Sequence, residues 1–190
     1  VGSAGAQDDL DVVGKLHRDL GLPPVSIRVN NRKLSEGFYR GLGIEDPAAV
    51  LQRVDKYDKI GPDAVAELLI EQVGLSASQA RACVALAGIS ADDESFVDEV
   101  HALGVSHDLL EAGLADLASL MRVARSSEPG RVVADLRIAR GLDYYTGTVY
   151  ETLLQGSEKL GSIASGGRYD SLASDGKITF PGVGYSFGVT

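Results

Sequence analysis

Ser126-Ser-Glu-Pro-Gly-Arg-Val-Val-Ala-Asp-Leu-Arg-Ile138 is where this chain changes character. A Ser/Pro/Gly linker running to Gly130 separates helical sequence from residues 131–138, which are β-rich. On the upstream side, residues 62–126 contain no tyrosine and many alanines, leucines and acids. Residues 130–190 hold five of the seven tyrosines (Tyr144, Tyr145, Tyr150, Tyr169, Tyr185) and eleven of the 23 glycines. The shift reads as helix after helix, followed by strands and glycine turns.

Upstream of the linker, Asp46-Pro47 is an N-cap with proline at the first helical position and opens a helical block. Gly61-Pro62 separates its first helix from a second over residues 63–73, and Ser76 caps a third over 77–87. Asp92 caps a fourth ending at Leu103, and Ser106 a fifth that runs through Arg125. Ahead of the block, residues from Lys33 are helical until Gly41 and Gly43. Val25-Ser-Ile-Arg-Val-Asn30 alternates apolar and polar side chains with the period of a half-buried strand. Residues 7–20 set Leu10, Val13, Leu16 and Leu20 at helical spacing, with Asp8 and Asp9 in the first turn and Gly21 as a stop. Strands on both sides of the helical block predict an α+β fold: a sheet domain of residues 1–44 and 131–190, interrupted by a mainly helical insertion at 45–130. Two domains in tandem would give the same local pattern. Joined only near Gly43 and Pro129-Gly130, an insertion is expected to make few contacts with the sheet.

Composition narrows the function classes. With 44% hydrophobic residues the 190-residue chain can bury a core, which excludes disorder. A net charge of -9 excludes a basic protein that coats nucleic acid by charge alone. Cys83 is the single cysteine and the histidines are His17, His101 and His107, so there is no internal disulfide and no Cys/His cluster at zinc spacing. This usage suits a reducing cytoplasm without a structural metal. No apolar run approaches the ~20 residues of a membrane span, and Val-Gly-Ser-Ala-Gly at the N-terminus does not read as an export signal. His101 and His107, beside Asp98, Glu99 and Asp108, read as partly exposed helix residues.

Three runs carry the candidate chemistry. Arg140-Gly-Leu-Asp-Tyr-Tyr-Thr-Gly147 packs an arginine, an acid, two tyrosines and a threonine between glycines, just before a strand at 148–152. Arginine can hold a carboxylate or phosphate by two parallel hydrogen bonds, and tyrosine hydroxyls can orient polar atoms. On composition alone the run is also a hairpin entry with tyrosines on a sheet surface. Ser162-Ile-Ala-Ser-Gly-Gly-Arg-Tyr-Asp170 ends a strand in two glycines, which fit either close ligand approach or a tight turn. Pro181-Gly-Val-Gly-Tyr-Ser-Phe-Gly188 alternates glycines along a strand, leaving a bare face on which a flat ring could lie. None of the three is a phosphate-cradling Gly-Lys-Ser/Thr loop or a dinucleotide fingerprint.

In this order the three runs resemble the signatures of the histidyl-tRNA synthetases, in the class II aminoacyl-tRNA synthetase superfamily. Residues 140–147 match the histidine-binding signature, 165–170 a second signature, and 182–188 the start of the third class-defining motif. Ile27-Arg-Val-Asn-Asn-Arg-Lys-Leu34 and Asp55-Lys-Tyr-Asp-Lys-Ile-Gly61 are similar to segments at the entry to the family's insertion domain, and the detail is actinobacterial. The resemblance implies an antiparallel sheet with flanking helices that binds histidine and ATP with Mg²⁺, and an insertion near the tRNA acceptor end. Arg140 matches the arginine bridging the histidine carboxylate and the α-phosphate. Tyr145 and Tyr169, with Tyr144 beside them, match tyrosines at the histidine side chain. Gly166 and Gly167 would leave room for substrate, and Gly182 and Gly184 for the adenine side. Asp143 reads as a turn acid.

The first two class motifs, the arginine completing the third and the anticodon-binding domain have no counterpart in the 190 residues. The resemblance thus implies a partial catalytic core, inactive alone in pyrophosphate exchange, from a homodimeric cytoplasmic parent. At Ala164 many relatives have cysteine. A histidine-sensing regulatory subunit of ATP phosphoribosyltransferase is the alternative, with the long helical insertion against it. A purely interacting synthetase-like module is a third reading, opposed by the intact histidine signatures.

Overall fold

The computed structural model describes residues 19, 24–127, 129–139, 144–172 and 174–188. The helix expected over 7–20 lies outside them, apart from Asp19, which is helical. Six strands form one sheet: β1 (Val25–Asn31), β2 (Ser90–Ala91), β3 (Val132–Asp135), β4 (Thr148–Leu154), β5 (Ser162–Tyr169) and β6 (Gly182–Phe187). Their order across the sheet is β2-β3-β1-β4-β5-β6. Every pairing is antiparallel except β1 with β3, which run parallel with Ile27 opposite Val132. A parallel pair needs a long crossover, and the helical block supplies it.

The helices are α1 (Arg32–Gly41), α2 (Pro47–Val54), α3 (Tyr57–Val73), α4 (Ala77–Ala87), α5 (Phe96–Ala102) and α6 (Asp108–Ser127). Several caps follow the residues expected to make them. Asp46 accepts from Ala49 N at 3.0 Å with Pro47 next to it. Ser76 and Gln79 form a reciprocal capping box. Gly61 (φ 82°, ψ 168°) is non-helical and with Pro62 divides α3 into two helical stretches, as expected, because only glycine adopts that conformation without strain. A further break, at Asp55-Lys56, ends α2 earlier than expected. Two expectations need correction. The fourth helix starts at Phe96, not after Asp92: β2 occupies residues 90–91, and Asp93 accepts from Ser95 N in a turn at 2.8 Å. The N-terminus of α6 is capped by His107, whose Nδ1 accepts from Leu109 N at 3.1 Å, rather than by Ser106.

Cross-strand register assigns the side chains to two faces. Val25, Ile27 and Val29 share one face with Val132, Ala134 and Tyr150, and all are buried. Helix α6 contacts β1 and β3 and lies along α1. At that crossing a Cβ on Gly37 would overlap the backbone of Leu109 and Leu110, and one on Gly113 the backbone of Lys33 and Leu34. Leu34, Phe38, Leu110 and Leu117 are fully buried there, in the same apolar cluster as Val65, Leu69, Cys83, Leu86, Phe96 and Val100. The scarcity of contacts expected between the helical block and the sheet is therefore not found. Its amphipathic helices need an apolar surface to cover, and β1 with β3 provides part of one.

Cys83 sits in this core, where burial pushes its thiol up to about 12. At pH 8 the thiolate is the reactive form, so alkylation of native Cys83 by iodoacetamide is expected to run at least ~100-fold slower than in the denatured chain. Comparable rates before and after denaturation would contradict this burial.

Candidate functional site

On the other face of the sheet the glycines of β5 and β6 let aromatic rings approach closely. Gly167 pairs with Val149 on β4 and with Gly184 on β6, and Tyr169 pairs with Gly182. The Tyr145 ring lies against Gly167, 2.9 Å from where a Cβ would stand. Tyr169 covers Gly182 in the same way at 2.5 Å and borders Gly184 at 3.5 Å. The bare faces anticipated on these strands for a ligand are thus occupied by the protein's own tyrosines, as cross-strand aromatics often cover glycine. Gly166 turns toward the opposite face, where the Tyr150 hydroxyl stands 2.6 Å from its Cβ position.

The rings join into one cluster. Tyr144 and Tyr145 have centroids 4.5 Å apart, and Tyr144 meets Tyr169 edge-on at 6.0 Å. Burial, the hydrogen bond with Tyr144 and the neighbouring phenols push the Tyr145 hydroxyl up to about 12. At neutral pH it is a neutral group able to donate and to accept. Thr146, next along the chain, donates to Asp170 at 2.7 Å, and Arg168 donates to the same carboxylate at 3.0 Å. Burial alone would raise Asp170, but these two hydrogen bonds hold it below the usual carboxylate range. The Asp170 carboxylate thereby ties the segment behind the tyrosines to the end of β5.

Tyr144 and Tyr145 open onto a cavity of about 510 Å³ between this face and α2. Leu51, Ile138 and Val149 give it apolar walls, and Ser165, Ser186, Gln52, Asp55 and Arg32 add polar groups. Gly166 borders it, whereas Gly167, Gly182 and Gly184 stand behind the tyrosines rather than among its described lining. Arg140 lies outside the described residues, as does Asp143. Sequence reading missed the α2 wall and both serines. Asp55 opens a segment already noted for its resemblance, but nothing in the spacing of α2 marks which face meets a cavity. The arrangement suits a small polar molecule with a flat part, because neutral hydroxyls, one acid and one guanidinium converge above an apolar floor. His101, as expected, stays outside it, paired with Glu111 at 3.1 Å on an exposed surface.

A mostly antiparallel sheet flanked by helices, with this cavity between one of its faces and α2, is the fold of the class II synthetase catalytic domain. The sequence family described as histidyl-tRNA synthetase matches residues 1–190, and the chain belongs to that family. A histidine–tRNA ligase of Cutibacterium acnes is 61% identical over 181 residues, covering 95% of this chain and 40% of the relative. One from Micrococcus luteus is 58% identical over 192 residues, with 100% of this chain and 42% of the relative covered. Both are actinobacterial, in keeping with the sequence detail. This chain thus spans about two fifths of the length of the curated relatives it matches. The crystal structure of histidyl-tRNA synthetase from Nostoc sp. PCC 7120 superposes with a TM-score of 0.90 at 31% identity, covering 99% of this chain and 45% of that one. A chain of the HisG:HisZ ATP phosphoribosyl transferase complex from Thermotoga maritima superposes at 0.66 with 17% identity, which shows the fold alone.

Proposed function

We propose that the chain is part of the catalytic core of a histidine–tRNA ligase, with residues 1–44 and 131–190 in the catalytic domain and 45–130 a helical insertion docked against it. The observation that carries the reading is the cluster of Tyr144, Tyr145 and Tyr169, of which Tyr144 and Tyr145 line a cavity of about 510 Å³ and Tyr169 packs behind them against Tyr144. These are the same tyrosines that match the histidine signatures. In the proposed reaction a histidine carboxylate oxygen attacks the α-phosphorus of ATP, pyrophosphate leaves, and a hydroxyl of the terminal ribose of tRNA(His) then attacks the adenylate carbonyl and expels AMP. No side chain has to become a nucleophile; what the protein supplies is positioning and charge stabilisation. A neutral Tyr145 hydroxyl can donate to or accept from an imidazole, whichever tautomer arrives. Arg140 is assigned the bridge between carboxylate and phosphate, and Gly166, Gly167, Gly182 and Gly184 shape the site by admitting the rings beside it. ATP brings Mg²⁺ with it. Among the described residues no group of three His, Cys, Asp or Glu could hold a metal ion, so no described residue is assigned to the cation.

Cytoplasmic location and homodimerisation belong to the same reading and rest on the family. Among the described residues no helix is long and apolar enough to cross a membrane. The regulatory-subunit reading is disfavoured by the names and identities of the relatives at 51–61%. The helical block does not separate the two, because the Thermotoga chain aligns over 98% of this one.

The test is ATP–pyrophosphate exchange across the amino acids by the intact protein, meaning the full-length ligase of which this chain is proposed to be a part; the 190 residues alone are expected to show none. Exchange that depends on histidine is expected, and exchange absent with histidine or equal with other amino acids contradicts the proposal. Tyr169→Phe keeps the ring that covers Gly182 and removes only the hydroxyl. It is expected to raise the histidine Michaelis constant by ~3- to 10-fold with little change in the saturated rate, since a single hydrogen bond used equally before and during reaction contributes about 1 kcal/mol. A loss confined to the saturated rate would contradict its assignment to ground-state binding.

A further inference from the structure

The strand that leads into the tyrosine segment is held by a charged cluster on the cavity side of the sheet. Asp135 ends β3 with 1% exposure, and Arg137 grips it with two hydrogen bonds, Nε to Oδ1 and Nη2 to Oδ2, both 2.9 Å. Arg28 of β1 stands 3.4 Å from the same carboxylate. Asp58, in the first turn of α3, joins the cluster, accepting from Arg137 Nη1 at 3.0 Å and lying 3.6 Å from Arg28. Its neighbour Tyr57 sets its ring 6.0 Å from the Arg137 guanidinium, within cation–π range. Residues 57 and 58 of the helical block thus both address one arginine just past the end of β3, 79 positions away in the case of Asp58.

The cavity lies immediately beside this contact. Ile138 and Ala139, the next two residues after Arg137, line it from the sheet side, and Asp55, three residues before Asp58, lines it from the helical side. We propose that Arg137, held by Asp58 and Tyr57, is a positioning residue that sets the α2 wall of the cavity against the 136–139 segment, and so tunes affinity for the small molecule bound there. The identity of that molecule as histidine rests on the function proposed above; the latch itself does not. Hydrogen bonds make the latch selective for arginine. Its planar fork grips Asp135 with two nitrogens and still presents a third to Asp58, whereas a lysine ammonium cannot span both acids. The Asp58 side chain is 59% exposed, so its ion pairs are screened and add little to global stability. A contact of this kind can act on local geometry without deciding whether the protein folds.

The test uses the intact protein carrying Asp58→Asn, with Arg137→Lys as the second variant. In the absence of ligand, amide hydrogen exchange at Leu136 and Ile138 is expected to speed up ~3- to 5-fold with Asp58→Asn, the factor matching an exposed ion pair. Both amides are hydrogen-bonded, to the Ile89 and Asp135 carbonyls. The melting temperature is expected to stay within ~3 °C of the unsubstituted protein. Histidine dissociation constants should rise by a similar factor, while the saturated rate of adenylate formation changes less than twofold. Unchanged exchange at Leu136 and Ile138 in both variants overturns the latch. Faster exchange with unaltered histidine affinity overturns its link to the cavity. Faster exchange in a protein that binds no histidine at all supports the latch and overturns the histidine reading instead.

Discussion

Arg140→Ala is expected to slow adenylate formation by ~100-fold or more while weakening ATP binding far less. The reasoning starts from charge. If the guanidinium spans the histidine carboxylate and the α-phosphate, the oxygens it touches change charge only as the new P–O bond forms. Its contacts therefore strengthen on the way to the transition state, and losing them falls on the rate rather than on either Michaelis constant. Arg140→Lys should rescue little, because a single ammonium cannot reproduce a two-pronged contact with two different oxyanions. Pre-steady-state measurement of adenylate formation with each variant separates rate from binding. A fully active Arg140→Lys, or an Arg140→Ala that alters only the histidine Michaelis constant, would reduce Arg140 to a binding or structural residue.

The second large effect falls on folding. Gly113→Ala is expected to destabilise the protein by ~3 kcal/mol, although alanine is by nature the better helix former by about 1 kcal/mol. The added methyl would overlap the backbone of Lys33 and Leu34, which cannot swing aside as a flexible side chain would. Helices α1 and α6 would have to separate along the crossing that buries Leu34, Phe38 and Leu110, opening space in a close-packed core. Gly88→Ala is the control. Gly88 ends α4 at φ -73°, a conformation any residue adopts, and its new methyl would have no neighbour nearer than 3.3 Å. For a chain of this size ~3 kcal/mol corresponds to a fall in melting temperature of ~6 to 12 °C, against a shift within ~2 °C for the control. Equal melting temperatures for the two variants would contradict the close approach of the helices.

What could be read ahead of the structure follows from how local each signal is. The alternation in Val25-Ser-Ile-Arg-Val-Asn30 and the caps at Asp46 and Ser76 depend on residues a few positions apart, and the elements they mark are present. The end of β3 was not legible. Residues 131–138 are β-rich throughout, yet the strand stops at Asp135, where side chains take over from the ladder: Asp135 accepts from Arg137 N at 3.2 Å, and Asn30 donates to the Ile138 carbonyl at 2.9 Å. Strand β2 escaped notice because two residues are too short for any period. The parallel pairing of β1 with β3 and the Gly37–Gly113 crossing depend on chain segments many tens of residues apart, which no local pattern encodes.

At the site the chemistry was legible and the geometry was not. Tyr144, Tyr145 and Tyr169 stood out by composition, and they form one cluster beside a cavity. The glycines of β5 and β6 were read as space for a ligand, but a glycine on a strand only permits close approach; it does not say what approaches. Here the neighbour across the strand pair is a tyrosine. Asp58 and Arg137 illustrate the same limit, since an acid in a helix and an arginine after a strand become partners only when the crossover returns the chain to the sheet.

The central claim, that the cavity beside the tyrosine cluster receives histidine, is tested most directly by a crystal structure of the intact protein with histidine bound. The imidazole is expected between α2 and the β4–β5 face, with a ring nitrogen within ~3 Å of the Tyr145 or Tyr169 hydroxyl, the ordinary hydrogen-bond range. Histidine found elsewhere on the molecule, or in the cavity with its imidazole turned away from both tyrosines, would contradict the account.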